Sequence, residues 1–380
     1  MIRQRALSPA RVAIALAFAV GLIAVALDVH SAGDAADQSW RAFVLVAGLL
    51  LVGVVAADDG LFAWLASKLD AIPGGGRRLF FAGLTLVAAT AAILNLDTAV
   101  VFLTPVMIAA AQRRGLDEQP FLYGTIFMVN AASLFLPGSN LTNLIVIGHE
   151  HVTGGEFARR MLPAAIGATA ATAAVVWLMH RERLGGGELD PTAAPRPGLL
   201  GIAATLATIA LLLFSADPAV PVLVVGVASA GLLAARGRLS RADLLEAVNP
   251  VVLGAVFCVA IALGTLARDW HAPAHLMANA SRVPTAVIGA VAAVLVNNLP
   301  AAALLSAEHV AHPRALLIGL NVGPNLFVTG SLSAFLWLQA ARTAGVQPSI
   351  ARYGKLGIVV APAGIVAALV FLYVLAPSRV

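Results

Sequence analysis

The chain has 380 residues, 60 % of them hydrophobic and only 11 % charged. Soluble domains carry about 25 % charged residues, so the composition excludes a soluble enzyme and indicates a polytopic membrane protein. The net charge of +5 is not a nucleic-acid footprint, because Lys and Arg cluster between apolar runs instead of forming a stripe interleaved with aromatics.

The run from Val12 to Ala26, preceded by Arg3 and Arg5, has the outline of a signal peptide. It reaches spanning length, however, and reads as a first span at about 11–29. A second follows at 41–57. The segment 79–112 differs: it is bracketed by Arg77-Arg78 and Arg113-Arg114, with polar residues at its middle. Basic pairs at both ends place both on the cytoplasmic side, so the segment should enter and return as a re-entrant hairpin. Spans at 120–148 and 160–180 complete the first half. A charged, Gly- and Pro-rich stretch, 181–197, is a cytoplasmic linker. Spans follow at 198–214, 219–236 and 250–268, then a second polar-tipped hairpin at 283–311, and spans at 314–341 and 356–375. A cytoplasmic N-terminus puts 17 of the 24 Lys and Arg inside, the bias the positive-inside rule requires.

Residues 1–180 and 198–380 repeat one order: span, span, short amphipathic piece, hairpin, broken span, final span. The extra span at 198–214 reverses the second half, so the fold expected is all-α with inverted repeats, two re-entrant hairpins and two broken helices. Discontinuous helices at matching positions mark the binding site of a secondary transporter.

Irregular backbone in hydrocarbon is tolerated only where protein or a watery cavity satisfies its polar groups. In LFLPGSNLTNLIVI (134–147), Pro137 and Gly138 end a half-helix, and the next begins near Ser139 and Asn140. Asn140 and Asn143, three apart, share a face of that helix. The second half answers with Asn321, Gly323-Pro324-Asn325 and Thr329-Gly330-Ser331, and the hairpin tips add Asn95, Asp97, Thr98, Asn297 and Asn298. These amides and hydroxyls both donate and accept, suiting a small ligand rich in oxygen. Asp97 is the one carboxylate these spans put deep in the membrane, with no Lys or Arg beside it, which makes it the natural proton carrier or a sodium ligand.

The single cysteine, Cys258, allows no disulfide and no thiol metal site. His149 and His151 flank Glu150 in an outer loop, and His271, His275, His309 and His312 also fall outside the core. No cofactor or nucleotide motif is present, and the triple glycines at 74–76 and 185–187 lack the Lys-Ser/Thr of a P-loop. No Ser/His pair or paired carboxylates sit within the spans, which argues against an intramembrane enzyme.

The tip LNLDTAVVFLTP, the break SNLTNLIVI, the second tip NNLPAAALL and the second break NVGPNLFVTGSLSAFLWL resemble the arsenite/antimonite efflux permease family of the ion-transporter superfamily. The likeness covers roughly 41–180 and 245–376. It implies an exchanger, in a bacterial plasma membrane, extruding arsenite or antimonite against inward proton flow. It also implies that Asn95, Asp97, Ser139, Asn140, Asn143, Asn297, Asn298, Gly323, Pro324, Asn325, Gly330 and Ser331 occupy the family's site positions. The chain departs from the family at Leu96, where the family has Asn, and at Asn321, where many members have Asp. The substrate expected is a small inorganic oxyanion or neutral hydroxide, coupled to protons or sodium. Sodium- or proton-coupled transport of a small organic or inorganic anion, or plain sodium/proton antiport, is the alternative. A separate ATPase subunit and a homodimer stay open as partners.

Overall fold

The structure, a computed structural model, describes residues 9–148, 152–186, 196–215 and 217–375. Arg3, Arg5, the loop 149–151 and most of the 181–197 linker lie outside the described residues. Helix α1 (Pro9–Leu27) is followed directly by α2 (Val29–Asp58). Asp28 starts α2 by accepting from the backbone N–H of His30 and Ser31 at 2.9 and 3.1 Å, a side-chain cap that satisfies groups a helix start leaves free. The helix therefore begins twelve residues before the apolar run expected at 41.

A short α3 (Leu61–Asp70) leads to the pair α4 (Gly76–Ile93) and α5 (Leu96–Arg113). Next comes the first interrupted helix: α6 (Gln119–Ala132), a tight turn at Pro137–Ser139, and the six-residue α7 (Leu141–Val146). The first half ends with α8 (Gly154–His180). Helices α9 (Leu199–Phe214), α10 (Ala219–Ala235), α11 (Arg241–Val248), α12 (Pro250–Asp269) and α13 (Ala272–Asn279) follow. The second pair is α14 (Arg282–Val296) with α15 (Asn298–Leu305). The second interrupted helix is α16 (Pro313–Val322), turns at Gly323–Asn325 and Val328–Gly330, and α17 (Leu332–Thr343). Helix α18 (Ile350–Val370) closes the order. The described residues contain no strand. Among the described residues, six helical stretches are long and apolar enough to cross a membrane, and four further apolar helices, α1, α9, α10 and α14, are shorter.

The helices pack as two groups. Helix α2 lies against α10 and α12, α1 against α12, and the extra helix α9 wedges on α2 and α10. Gly48 of α2 and Gly226 of α10 allow the closest approach: a Cβ on Gly48 would meet Leu223 N at 2.7 Å, and one on Gly226 would meet Gly48 O at 2.7 Å. Among lipids, close packing of small residues replaces the hydrophobic drive between helices. The second group gathers α4–α8 and α14–α18. At its centre Tyr123, Phe127, Trp337 and Tyr353 pack with ring centroids 4.9–6.4 Å apart. Their polar tips find backbone carbonyls: Tyr123 Oη donates to Ser349, Trp337 Nε1 to Leu122 and Tyr353 Oη to Pro324, at 2.9–3.0 Å. The last bond satisfies a carbonyl that the second interruption frees.

Where α2 ends, the Asp59 carboxylate accepts from Gly201 N at 2.8 Å and pairs with Arg238 at 2.8 Å, tying α2, α9 and the α10–α11 loop together. Burial works against the Asp59 charge, but the Gly201 N–H and the Arg238 guanidinium outweigh it and hold the carboxyl below its ordinary 3.8. A carboxyl depressed by folding stabilises the fold above its unfolded pKa, and that contribution disappears as pH falls through the folded value. The expected result is an acid limb of stability below pH 3.8 that Asp59→Asn flattens, read as thermal midpoint against pH in detergent.

Candidate functional site

The two interruptions share one backbone course. Leu136 (φ −132°, ψ 153°) and Phe327 (φ −146°, ψ 150°) are extended, a three-residue turn follows each, and Asn140 (φ −149°) and Ser331 (φ −148°) are extended again before the next helix starts. Leu136 thus corresponds to Phe327, Asn140 to Ser331, Thr142 to Ser333 and Leu144 to Phe335. The tips correspond as well. Asn95 caps α5 by accepting from Thr98 N at 2.7 Å, and Asn297 caps α15 by accepting from Leu299 N at 3.4 Å. Asn297 does so at φ 79°, ψ 149°, a region costing a non-glycine residue about 1–3 kcal/mol and concentrated at functional sites. By this register Asp97 corresponds to Leu299, so only one tip carries a carboxylate.

Each tip is fastened to the interruption of its own half. Ser139 Oγ donates to Ala92 O at 2.9 Å, and Thr329 Oγ1 donates to Val294 O at 2.9 Å. Asn297 Nδ2 adds a bond to Thr329 O at 3.2 Å. Gly330 is required by a close approach, because a Cβ there would meet Pro324 Cα at 2.5 Å.

The tips also reach across the halves. Asp97 Oδ1 accepts from Ser333 Oγ, in the first turn of α17, at 2.5 Å. Asp97 takes part in none of the ion pairs of the described residues. Three polar atoms of its neighbours in sequence and of the α17 start are buried without a hydrogen-bond partner: Asn95 Nδ2, Thr98 Oγ1 and Ser331 Oγ. Buried polar atoms are nearly always paired. Asp97, Asn95 and Ser331 thus offer a carboxylate and unspent polar atoms at the α5 tip and the α17 start, groups suited to a proton, a small cation or a hydroxylated solute. Thr98 Oγ1, in contrast, lies against α2, 3.2 Å from where a Cβ on Gly53 would sit. The mirror location lacks this chemistry: Thr142 Oγ1 is buried and unpaired, and its partner by register is the apolar Leu299.

The remaining amides form a second, interlocked set, in which Asn130 Oδ1 is buried without a partner. Asn321 Oδ1 accepts from Ser133 Oγ at 2.6 Å and from Asn140 Nδ2 at 2.7 Å, while its Nδ2 donates to Asn143 Oδ1 and Leu317 O at 2.8 Å. Asn143 Nδ2 is spent on the carbonyls of Ser133 and Leu136, at 2.7 and 3.1 Å. Alongside, Asn130 Nδ2 donates to Asn325 Oδ1 at 2.8 Å, and Asn325 Nδ2 to Phe127 O at 3.1 Å. Asn130, Asn143, Asn321 and Asn325 are each at most 1 % exposed. In this conformation these amides hold the two interrupted helices to each other. Asn298, also buried, lies in the first turn of α15.

Of the sequence-based candidates, then, Asn95, Asp97 and Ser331 lie at the α5 tip and the α17 start, Thr98 packs on Gly53 of α2, and Asn140, Asn143, Asn321 and Asn325 belong to the interlocked amide set. Ser139, Asn297 and Thr329 fasten the tips, and Gly330 sits against Pro324. Ser333, inside the quoted second break, and Asn130 and Ser133, at the end of α6 just before the first, were missed. The described residues hold no cluster of three or more His, Cys, Asp or Glu that could bind a metal.

The two interruptions are covered unequally. At the α7 end, Leu144 packs on Leu45 and Leu49 of α2 and Leu212 of α9, and Leu136 is 8 % exposed. At the α17 end, Phe327, Leu332 and Phe335 are 47, 42 and 51 % exposed. The extra helix α9 has no counterpart there.

This architecture has known relatives. A 31 % identical stretch of 147 residues, 38 % of this chain, is shared with an arsenical pump membrane protein of Yersinia enterocolitica, and a 29 % identical one with its namesake in Escherichia coli. The match spans 34 % of the length of either pump protein. An uncharacterized transporter of Mycobacterium tuberculosis is 24 % identical over 90 % of this chain and 87 % of its own. The crystal structure of the Alcanivorax borkumensis YdaH transporter has the same fold, with a TM-score of 0.55 at 15 % identity over 86 % of this chain and 84 % of that one. The family described as Citrate transporter matches residues 2–329, and the chain belongs to that family of membrane-embedded secondary transporters, not to the enzymes.

Proposed function

We propose that the chain exports arsenite or antimonite in exchange for protons, with Asp97 as the proton carrier. The observation that carries this reading is the chemistry of the first tip: one carboxylate with no cationic partner, on a tip and a helix start that also hold unspent atoms of Asn95 and Ser331. A neutral trihydroxide can bond to amides and hydroxyls without a counter-charge, and a lone carboxylate can exchange its proton for such a solute. The names of the partial relatives supply the solute class.

The helix pairs α4–α5 and α14–α15 act as re-entrant hairpins. Their tips bond to the interruptions between α6 and α7 and between α16 and α17, which supports tips at the depth of the breaks. The N-terminus is cytoplasmic, the second half is inverted, and export runs outward across the bacterial plasma membrane.

A second reading, coupled uptake of a small organic anion, draws on the family description. It asks a polyanion to bind beside Asp97 with no Lys or Arg, leaving helix N-termini and a co-bound sodium to supply positive charge. Everted, energised vesicles separate the two. Uncoupler-sensitive accumulation of arsenite, unaffected by excess citrate, is the expected result. Sodium-dependent movement of citrate, with arsenite inert, would replace the first reading by the second.

A further inference from the structure

One polar contact joins both groups of helices at the α7 end. Gln38, half-buried on the early turns of α2, points its amide at the C-terminal ends of two short helices. Its Nε2 donates to Ser306 O, at the end of α15, at 3.0 Å, and more weakly to Ile145 O, near the end of α7, at 3.4 Å. Its Oε1 accepts from Arg268 Nη2 of α12 at 3.1 Å, and Arg268 Nη1 is anchored on Gly264 O at 2.8 Å. Asp34 and Glu308 are the carboxylates whose fields reach this guanidinium.

The chemistry fits a grip. The last carbonyls of a helix have no partner within it, and they carry the negative end of its dipole. Gln38, backed by a guanidinium, satisfies Ser306 O and adds a second donor to Ile145 O, which also accepts from Gly148 N at 3.2 Å, and so draws the two helix ends to the same spot. The opposite ends of α7 and α15 begin at Asn140 and Asn297, both at the interruptions. Six and eight residues separate grip from site. Helices that short move as rigid levers, because each spans only ~9–12 Å.

We propose that Gln38, oriented by Arg268, is a positioning residue that latches the α7 end shut by holding α7 and α15 to the α2–α12 pair, and that releasing this latch opens that end for the transport cycle. The proposal rests on the reading of the chain as an alternating-access transporter, but not on its substrate. Beside the latch lies a cavity of about 130 Å³, lined by Gln38 itself together with Asp37, Arg41, Leu45, Pro137 and Leu144 among others. The pseudo-equivalent positions Leu144 and Phe335 report the two ends, one packed on α2 and α9 and the other 51 % exposed.

The test uses full-length protein lacking Cys258, with a single cysteine at Leu144→Cys or Phe335→Cys, in sealed vesicles of either orientation labelled by a membrane-impermeant maleimide. Losing two neutral hydrogen bonds shifts a two-state ratio by roughly tenfold. Gln38→Leu, which keeps the bulk and removes all three bonds, is therefore expected to raise labelling at Leu144→Cys roughly tenfold and to lower it at Phe335→Cys. Arg268→Lys, which keeps the charge and loses the planar fork, is expected to shift both in the same directions by less. Opposite changes at the two ends separate a latch from general loosening, which would raise both. Unchanged labelling at both positions, or a rise at both, overturns the proposal. If arsenite transport fails in wild-type vesicles while the labelling pattern holds, the substrate assignment falls and the latch stands.

Discussion

Vesicles containing Asp97→Asn are expected to let the substrate equilibrate across the membrane without concentrating it. The substitution is nearly isosteric, and its carboxamide oxygen can still accept from Ser333 Oγ, which lies 2.5 Å from Asp97 Oδ1. What it loses is the ability to take up and release a proton. A gradient of one pH unit supports about a tenfold concentration ratio for each proton exchanged. That ratio should collapse to unity, while substrate-for-substrate counterflow, which needs no net proton movement, persists. Accumulation that survives Asp97→Asn and still vanishes with uncoupler would move the coupling group elsewhere. Loss of counterflow together with accumulation would make Asp97 a substrate ligand first.

The second large effect concerns Asn321, and it is one of stability. Asn321→Leu removes the acceptor for Asn140 Nδ2 and Ser133 Oγ and the donor for Asn143 Oδ1 and Leu317 O. Each buried group left unpaired costs about 1–3 kcal/mol; Asn140 Nδ2 and Asn143 Oδ1 are so left, whereas Leu317 O keeps the helix's own backbone bond and Ser133 Oγ its bond to Asn130 O at 2.7 Å. The total is expected at roughly 2–6 kcal/mol, visible as a drop in thermal midpoint in detergent. Asn321→Asp tests the polarity of the socket. It supplies an acceptor on both arms where one arm now faces two oxygens, so it should also destabilise despite its shape. Combining Asn321→Leu with Asn143→Ala should cost less than the sum of the two, because they share a bond. A midpoint unchanged by Asn321→Leu would mean that the amide set does not hold the interrupted helices together.

The interruptions were legible because Pro137, Gly138, Gly323 and Pro324 break a helix by local chemistry alone. The helix α9 was legible from hydropathy, as the expected span at 198–214. The start of α2 was not: residues 29–40 are polar enough to read as a loop, and only the Asp28 cap and packing against α12 reveal the helix. That error hid Gln38. The partition of the amides was equally hidden. Asn140 and Asn321 are 181 positions apart and Asn130 and Asn325 195 apart, and no local period encodes which amide finds which. Composition said that polar groups converge; it could not say that Asn321 closes on Asn143 while Asn95 keeps an unspent donor.

Helix α7 has six residues and α15 eight, so protein only ~9–12 Å thick separates the interruptions from one face of the molecule. An electrical potential drops where the medium is insulating, and here the insulating layer at the sealed end is a fraction of the ~30 Å hydrocarbon core. In a state where water reaches the interruptions from the α17 end, most of the transmembrane voltage would fall across that thin plug, at about 2.3 kcal/mol per elementary charge per 100 mV. A charge passing between Asp97 and the α7 face crosses nearly the whole field, and one arriving from the other face crosses little of it. Membrane voltage should therefore govern one half of the cycle and leave the other almost untouched.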